Sequence, residues 1–385
     1  MTATTMGPIT APAQSRPAAF SLPVFRETMN SSRSETGRLV LITHILDTAV
    51  AYVREIARAF EIIDVVPVPY SARSGALAQL DGLPVTLPAS VEQIGTIAIA
   101  SALRAADGVG TPIVIHDVGG YCTERLDELA THPTVRGVVE DTRQGQWRYE
   151  RRPLPMPVFT IADSPLKALE DIQVGRAIAS SLDRLIRDLF FEVLAERRVL
   201  VLGYGGIGTS LAKHLRQSDV RVAVFDPDDI RMAAALLHGY HVGERCDVLG
   251  WADVIVGVSG HTSLTAGDVT ALKDGVVLAS GSSKQIEFDI TGMRTVATEV
   301  ASTPLLESLT FDGRTVFVLN EGYPINFIDQ SVLGSVLDLV YSELYLCTNA
   351  LLSRTHSPGL HRIDRASQNE LARRWHRHYG TGLGS

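Results

Sequence analysis

One run limits the folds open to this chain: Val199-Leu-Val-Leu202, then Gly203-Tyr-Gly205-Gly206-Ile207-Gly208. Four apolar residues in a row read as a strand buried on both faces of a parallel sheet. The glycines follow as G-x-G-x-x-G, and Ile207, Leu211 and Leu215 continue at helical spacing. A strand that turns over glycines into a helix is the dinucleotide-binding fingerprint in its required context. Gly203 permits the tight turn, Gly205 lets a pyrophosphate approach the backbone, and Gly208 lets the helix pack close to the strand. The pyrophosphate would sit on the helix N-terminus, where unpaired N–H groups and the helix dipole favour an anion. The next strand, Val220 to Phe225, ends at Asp226. An acid there accepts hydrogen bonds from an adenosine ribose and repels a 2′-phosphate, which selects NAD over NADP. The expected contacts on this side are Gly203, Gly205, Gly206, Ile207 and Gly208, with Asp226, Pro227 and Arg231 beyond the second strand.

At 385 residues the chain has room for two domains. A net charge of −8 argues against nucleic acid or an anionic membrane as the main partner. Cys122, Cys246 and Cys347 are scattered without metal-ligand spacing, so neither disulfides nor a metal site is expected, and a reducing, cytoplasmic setting is. Residues 1–35, rich in Thr, Ala, Pro and Ser, lack the basic start and apolar run of a signal peptide. They read as a disordered or loosely docked tail, with Phe20 to Phe25 able to dock on the body. The apolar segment Val332 to Leu352 is interrupted by Asp338 and Glu343 and reads as a core helix rather than a membrane span.

Strands are expected at Arg38–Thr43, Ile62–Val68, Leu83–Thr86, Pro112–His116, Gly137–Glu140 and Val158–Ile161, with helices at Asp47–Phe60 and Val91–Ala105 between them. This alternation predicts a parallel α/β sheet whose ligands gather at the strands' carboxyl ends. Asp163-Ser164-Pro165 opens a long helix with an apolar face through Leu166, Leu169, Ile172, Val174, Ala177 and Leu182. The crossing between domains falls on it near Arg176. The expected fold class is therefore α/β in two domains: a parallel α/β substrate domain over residues 36–177, completed by 327–353, and a Rossmann NAD-binding domain over 178–326. A polar tail over 354–385 closes the chain. Later strands of the second domain end in Ser259-Gly260, Gly281-Ser-Ser283 and Asn320–Asn326, small or polar residues suited to a cofactor crevice.

Several blocks in order resemble the S-adenosylhomocysteine hydrolase family. Gly203-Tyr-Gly-Gly-Ile-Gly208 is similar to that family's GYGxVG loop, with Gly239-Tyr240 matching the Gly-Tyr downstream. Glu140-Asp141-Thr142 with Gly145 is similar to its Glu-Glu-Thr-Thr-Thr-Gly block, and Asp163-Ser164-x-x-Lys167-x-x-x-Asp171 to its Asn-Asp-Ser-x-x-Lys-x-x-x-Asp helix. Thr43-His44 with Thr48-Ala49 resembles its Leu-His-Met-Thr-x-x-Thr-Ala segment, one residue shorter. The resemblance implies tightly held NAD used as a returned oxidant. The ribose 3′-OH becomes a ketone, the acidified C4′–H is lost, the group on C5′ leaves, and the ketone is finally reduced. It implies catalytic roles for His44, Asp141, Lys167 and Asp171. Asp141 would hold the ribose hydroxyls, and Lys167, its basicity lowered beside a cationic nicotinamide, would take the hydroxyl proton. Lys167 and Asp171 share a helix face at i, i+4. Thr142, Arg143, Gln144, Ser259, Gly260, Gly281, Ser283 and Asn326 would complete the NAD site, and Asp47, Asp117, Val118 and Ser283 would meet an adenine nucleoside.

The departures fall around the 5′ end. A family carboxylate corresponds to Val118, a family histidine to Ser283, and the C-terminal segment that reaches a partner subunit's NAD is not recognisable in Trp375 to Ser385. With the oxidation set kept and the 5′ groups changed, the expected reaction is a nucleoside dehydration. Water leaves the hydroxymethyl carbon to give a 4′,5′-unsaturated nucleoside, of the psicofuranine-to-angustmycin A type. Hydrolysis of adenosylhomocysteine, C4′ epimerisation and a non-catalytic NAD-bound regulator are the alternatives. Family members assemble as homo-oligomers, so a dimer or tetramer is expected.

Overall fold

The structure, a computed structural model, describes residues 20–32, 36–108 and 110–380. It contains two twisted sheets, and their topology decides where a ligand can bind. The first is built from β1 (Arg38–Thr43), β2 (Glu61–Pro67), β3 (Ile113–Asp117), β4 (Val135–Glu140) and β5 (Pro157–Thr160). Around it pack α1 (Pro23–Ser31), α2 (Asp47–Ile56), α3 (Ser74–Leu77), α4 (Gln93–Ala106), α5 (Leu126–Ala130) and α6 (Arg143–Glu150). The strands are parallel in the order β5-β4-β3-β1-β2. Their direction of winding reverses between β1 and β3, and in such sheets the crevice at the reversal is where ligands bind.

The long helix α7 (Lys167–Phe190) leads into the second sheet. There β6 (Arg198–Leu202), α8 (Gly206–Gln217), β7 (Arg221–Phe225), α9 (Asp229–Leu237), α10 (Arg245–Trp251), β8 (Val254–Gly257) and β9 (Val276–Ser280) wind in Rossmann fashion. The parallel order β9-β8-β6-β7 places its reversal at β6/β8, beside the glycine loop. Beyond helix α11 (Ile290–Val296), β12 (Arg314–Leu319) is the expected strand that ends at Asn320, and it pairs parallel with β9. The sequence pattern does not announce β10 (Glu299–Ser302) and β11 (Leu306–Phe311), which add to it as an antiparallel meander. Every residue of β10 is exposed, so no apolar alternation marks it.

The chain then returns. Helix α12 (Val336–Ser353) buries Val340, Leu344, Tyr345 and Leu351 against Leu39, Leu41, Val114 and Val139 of the first sheet. Among the described residues no helix is long and apolar enough to cross a membrane. The stretch expected as a C-terminal tail forms β13 (Gly359–His361), a sixth parallel strand beside β5, and α13 (Arg365–Tyr379). Residues 381–385 lie outside the described residues, as do 1–19 and 33–35 of the expected N-terminal tail. The rest of that tail is docked: Leu22, Val24 and Phe25 are fully buried, and Asp338 of α12 accepts hydrogen bonds from the Val24 and Phe25 amides at 2.8 Å.

Two expectations need correction. Leu83–Thr86 is not a strand; Val85 makes a single bridge to Val65. The buried face of the long helix keeps Leu166 and Leu182 of the expected set but not all of it. Leu169 and Ile172 are 44% and 47% exposed, whereas Glu170, Gly175, Ile178, Ser181, Leu182, Leu185 and Ile186 face inward. Gly175 is there because α8 presses on it: a Cβ at Gly175 would come within 2.6 Å of the Leu211 amide nitrogen. Close helix packing sets this face at Gly175, and the apolar spacing Ile178, Leu182, Leu185 and Ile186 carries it on toward the helix end.

Candidate active site

The carboxyl ends of both sheets open onto one cavity of about 570 Å³, large enough for a nucleotide-sized ligand. From the first sheet come His44 after β1, Val118 after β3 and Asp141 to Gln144 after β4. From the second come Gly203, Gly205, Gly206 and Ile207 after β6, Ser259 and Gly260 after β8, and Gly281 and Ser283 after β9. Lys167, Asp171, Arg231 and Asn326 complete the predicted residues on its wall.

The glycine loop owes its shape to contacts that no side chain would tolerate. Gly203 has φ +101°, and a Cβ on Gly208 would lie 2.0 Å from the Gly203 carbonyl oxygen. Gly208 and Asp226 are therefore behind the wall rather than on it. The Asp226 carboxylate, almost fully buried, accepts from the Tyr204 amide at 2.6 Å and the Asp228 amide at 3.0 Å. It also meets Arg231 at 3.3 Å, so it braces the loop while Arg231 faces the cavity. Pro227 is off the wall as well.

Lys167 lies in a cluster of carboxylates at the first turn of α7. Ser164 starts that turn by accepting from the Leu166 amide at 3.0 Å. The Lys167 Nζ bonds Asp141 at 2.8 Å and also meets Glu170, not Asp171. Burial works against the lysine's charge, but the two carboxylates outweigh it and hold the ammonium above the ordinary lysine range. The expected lowering of its basicity is thus not a property of these surroundings. Asp171 lies instead against the glycine loop, where a Cβ on Gly206 would meet its Oδ2 at 2.3 Å.

His44 is fixed by its second nitrogen. Ser71 donates to the Val68 carbonyl at 3.0 Å, so its oxygen accepts the Nδ1–H of His44 at 2.7 Å, which leaves the Nε2 lone pair as the proton acceptor. Phe327 packs 4.5 Å from the ring. Burial depresses the imidazole to about 4, with Asp141 opposing, so His44 is neutral at physiological pH.

Two predicted substrate contacts are turned away. Asp117 is fully buried and accepts from the amides of Tyr121 and Cys122 and from the Tyr149 hydroxyl at 2.7 Å. Its neighbour Val118 takes the cavity wall because side chains alternate along β3. Asp47 is held by Gln79 and Gln330.

Sequence reasoning missed Glu140, Glu170 and Lys284. Glu140, fully buried, accepts from the amides of Gly119, Gly120 and Thr142 and so fixes both turns that carry Val118 and Asp141. Burial and the nearby Asp117 push its carboxyl up to about 8. Lys284 reaches from the second sheet to the Gly119 carbonyl, 4.2 Å over the Tyr121 ring. It ties the domains together beneath the cavity. Among the described residues there is no group of three His, Cys, Asp or Glu placed to hold a metal.

Residues 177–331 match the family described as S-adenosyl-L-homocysteine hydrolase, NAD binding domain. The chain is 28% identical over 280 residues to adenosylhomocysteinase of Thermotoga maritima, covering 69% of this chain and 66% of that one. It is 26% identical over 287 residues to the Pyrobaculum aerophilum enzyme of the same name, covering 69% and 65%. The chain is similar to the adenosylhomocysteinases, most clearly through the NAD-binding domain, and is divergent from them. Its matches span just under two thirds of those relatives' length. Among solved structures, a D-isomer specific 2-hydroxyacid dehydrogenase from Lactobacillus delbrueckii, in an NAD-complexed form, is similar with a TM-score of 0.40 and 11% identity, over 84% of this chain and 100% of that one. The cofactor of this adenosylhomocysteinase relative is NAD, and the cavity suits it. Its wall carries the glycine loop, and Asn326, nearly fully buried there, has an Oδ1 with no partner among the described residues, an acceptor free for a carboxamide N–H.

Behind the cavity, the adenosylhomocysteinase relative buries a second imidazole. His116 Nδ1 faces the Tyr52 hydroxyl at 2.9 Å, and its Nε2 faces Thr348 at 2.6 Å. Thr348 donates to the Leu344 carbonyl, so His116 donates to Thr348 and accepts from Tyr52. Protonation would break the Tyr52 bond, and burial lowers the imidazole to about 4. The folded value lies below the unfolded one, so the unfolded chain binds more protons between them. The resulting stability is present above the ordinary histidine value and is lost as pH falls toward 4. The loss is on the order of 3 kcal/mol. The equally depressed His44 adds to the same slope, so urea unfolding at neutral and mildly acid pH should show it and His116→Gln should reduce it by about half rather than remove it.

Proposed function

We propose that the protein is an NAD-dependent nucleoside dehydratase acting on an adenine nucleoside. The observation that carries this reading is the make-up of the cavity wall that Lys167 and Asp141 share. Val118 and Ser283 stand there, and His44 is the one imidazole among the lining residues. The NAD would lie on Gly203, Gly205, Gly206 and Ile207, with Thr142, Arg143, Gln144 and Asn326 around its nicotinamide half. When bound, NAD+ supplies an oxidant that takes the C3′ hydride and later returns it. Asp141 holds the ribose hydroxyls, and Lys167 Nζ, passing one of its own protons to a neighbouring carboxylate, takes the proton from the 3′-OH. A ketone at C3′ acidifies the neighbouring C4′–H. His44 Nε2 takes that proton and delivers it to the departing C5′ oxygen, so the C5′–O bond breaks and water leaves. One neutral imidazole thus serves both halves of the elimination, and a carboxylate at position 118 is not required. Lys167 returns its proton to the oxygen as the ketone is reduced. The balance is nucleoside to 4′,5′-unsaturated nucleoside plus water, with NAD+ unchanged.

The relatives' shared name favours a second reading, hydrolysis of S-adenosylhomocysteine. Mass spectrometry separates the two. Purified protein with psicofuranine or adenosine should yield a product lighter by one water, with no added NAD consumed. With S-adenosylhomocysteine it should release little or no thiol. Thiol release without any dehydrated product would replace the dehydratase by the hydrolase.

A further inference from the structure

We infer that Glu170 is the proton store behind Lys167, a positioning residue that accepts a proton from the lysine when the lysine takes one from substrate. The inference rests on the dehydratase reading for the identity of that substrate hydroxyl. Its proton path rests on geometry. One ammonium lies between two carboxylates, with Asp141 at 2.8 Å and Glu170 in direct contact, and all three side chains are less than a fifth exposed. An ammonium so held has no lone pair and cannot act as a base until it sheds a proton. Asp141 and Glu170 are the two groups in contact with Nζ that can take it.

Their positions differ. Asp141 projects from the end of β4, the place from which a ribose hydroxyl would be held. Glu170 is one turn along α7, beside Lys167 itself. Asp171, the next carboxylate, is engaged against Gly206. The charged and titratable groups around Glu170 are Lys167, Asp141 and Asp171, with Tyr341 of α12 facing the same cluster. Burial raises the Glu170 carboxyl, Lys167 opposes, and Asp141 and Asp171 add to the rise. A carboxylate in such surroundings is ready to take up a proton. The O–H bond of the substrate breaks toward Nζ while one N–H proton moves to Glu170 Oε2. No electron is gained or lost in that transfer, and the reverse shift returns the proton when the ketone is reduced.

Glu170→Gln keeps the shape and an acceptor for Lys167 but cannot store a proton. Two measurements on the NAD-loaded protein test it. Infrared difference spectra across pH should show a protonated carboxyl band in the wild type that titrates above the usual carboxylate range and is absent from E170Q. The kcat of E170Q should fall about a hundred-fold. Its KM should be little changed, and the acid limb of its pH profile should move down toward the value set by His44. Glu170→Asp should restore part of kcat together with an acid limb. If E170Q keeps the wild-type kcat and acid limb, or removes no carboxyl band, Glu170 stores no proton. If the wild type dehydrates no nucleoside, the functional reading falls, and the infrared titration still decides Glu170 by itself.

Discussion

Lys167→Met should leave the protein folded and NAD-loaded, yet cut turnover by about a thousand-fold or more. The side chain is buried, but its partners are not stranded in the same way that an unpaired ammonium would be. Asp141 and Glu170 line the cavity and can take protons or water once the lysine is gone. The glycine loop, which would hold the cofactor, keeps its shape through its own contacts at Gly203 and Gly208 rather than through the lysine. Loss of the lysine should therefore separate the two functions of the cavity. Bound NAD, measured after denaturation, should match the wild type, while substrate-dependent reduction of that NAD disappears. A variant that has lost its NAD would instead make Lys167 part of the cofactor site.

Gly208→Ala should produce the opposite pattern. The added methyl would lie 2.0 Å from the Gly203 carbonyl oxygen, far inside any tolerated contact. The carbonyl belongs to backbone held at φ +101°, so neither partner can yield without opening the turn from β6 into α8. The turn presents the helix N-terminus to the pyrophosphate, and opening it removes that anion site. NAD affinity should fall about a hundred-fold or more, which corresponds to roughly 3 kcal/mol. Calorimetric titration with NAD+ measures it directly. Gly75→Ala, where an added methyl meets nothing within 4 Å, is the matched control and should bind as the wild type does.

Much of the fold is legible because a strand buried on both faces has only apolar residues to offer. Leu39–Ile42, Val199–Leu202 and Val254–Val256 are each fully apolar and near zero exposure, and their order with the intervening helices gives two α/β sheets. The meander edge is illegible for the converse reason: β10 is a wholly exposed strand with no pattern to read. Helix α13 is mostly polar, and the contacts of its Leu371, Ala372, Trp375 and Tyr379 are set by α12 and by α1, remote in sequence.

The site divides the same way. Glycine, lysine and histidine positions can be named because their chemistry is tied to short motifs. Which carboxylates belong to them cannot. Asp117 and Val118 are adjacent, and strand alternation decides which one meets the cavity. Asp47 is drawn off by two glutamines brought from residues 79 and 330. Glu170 escapes notice because a charged residue on a helix reads as a solvated face, and only the buried side of α7 turns it inward.

In the proposed chemistry the protein lends its NAD to a nucleoside and takes it back. Rapid mixing of the NAD-loaded protein with adenosine or psicofuranine, no NAD added, follows that loan directly. The absorbance of reduced nicotinamide should rise and then decay as the unsaturated product forms. Absorbance that stays flat with both nucleosides, in protein shown to carry NAD+, would contradict the loan and leave an NAD-bound protein without this chemistry.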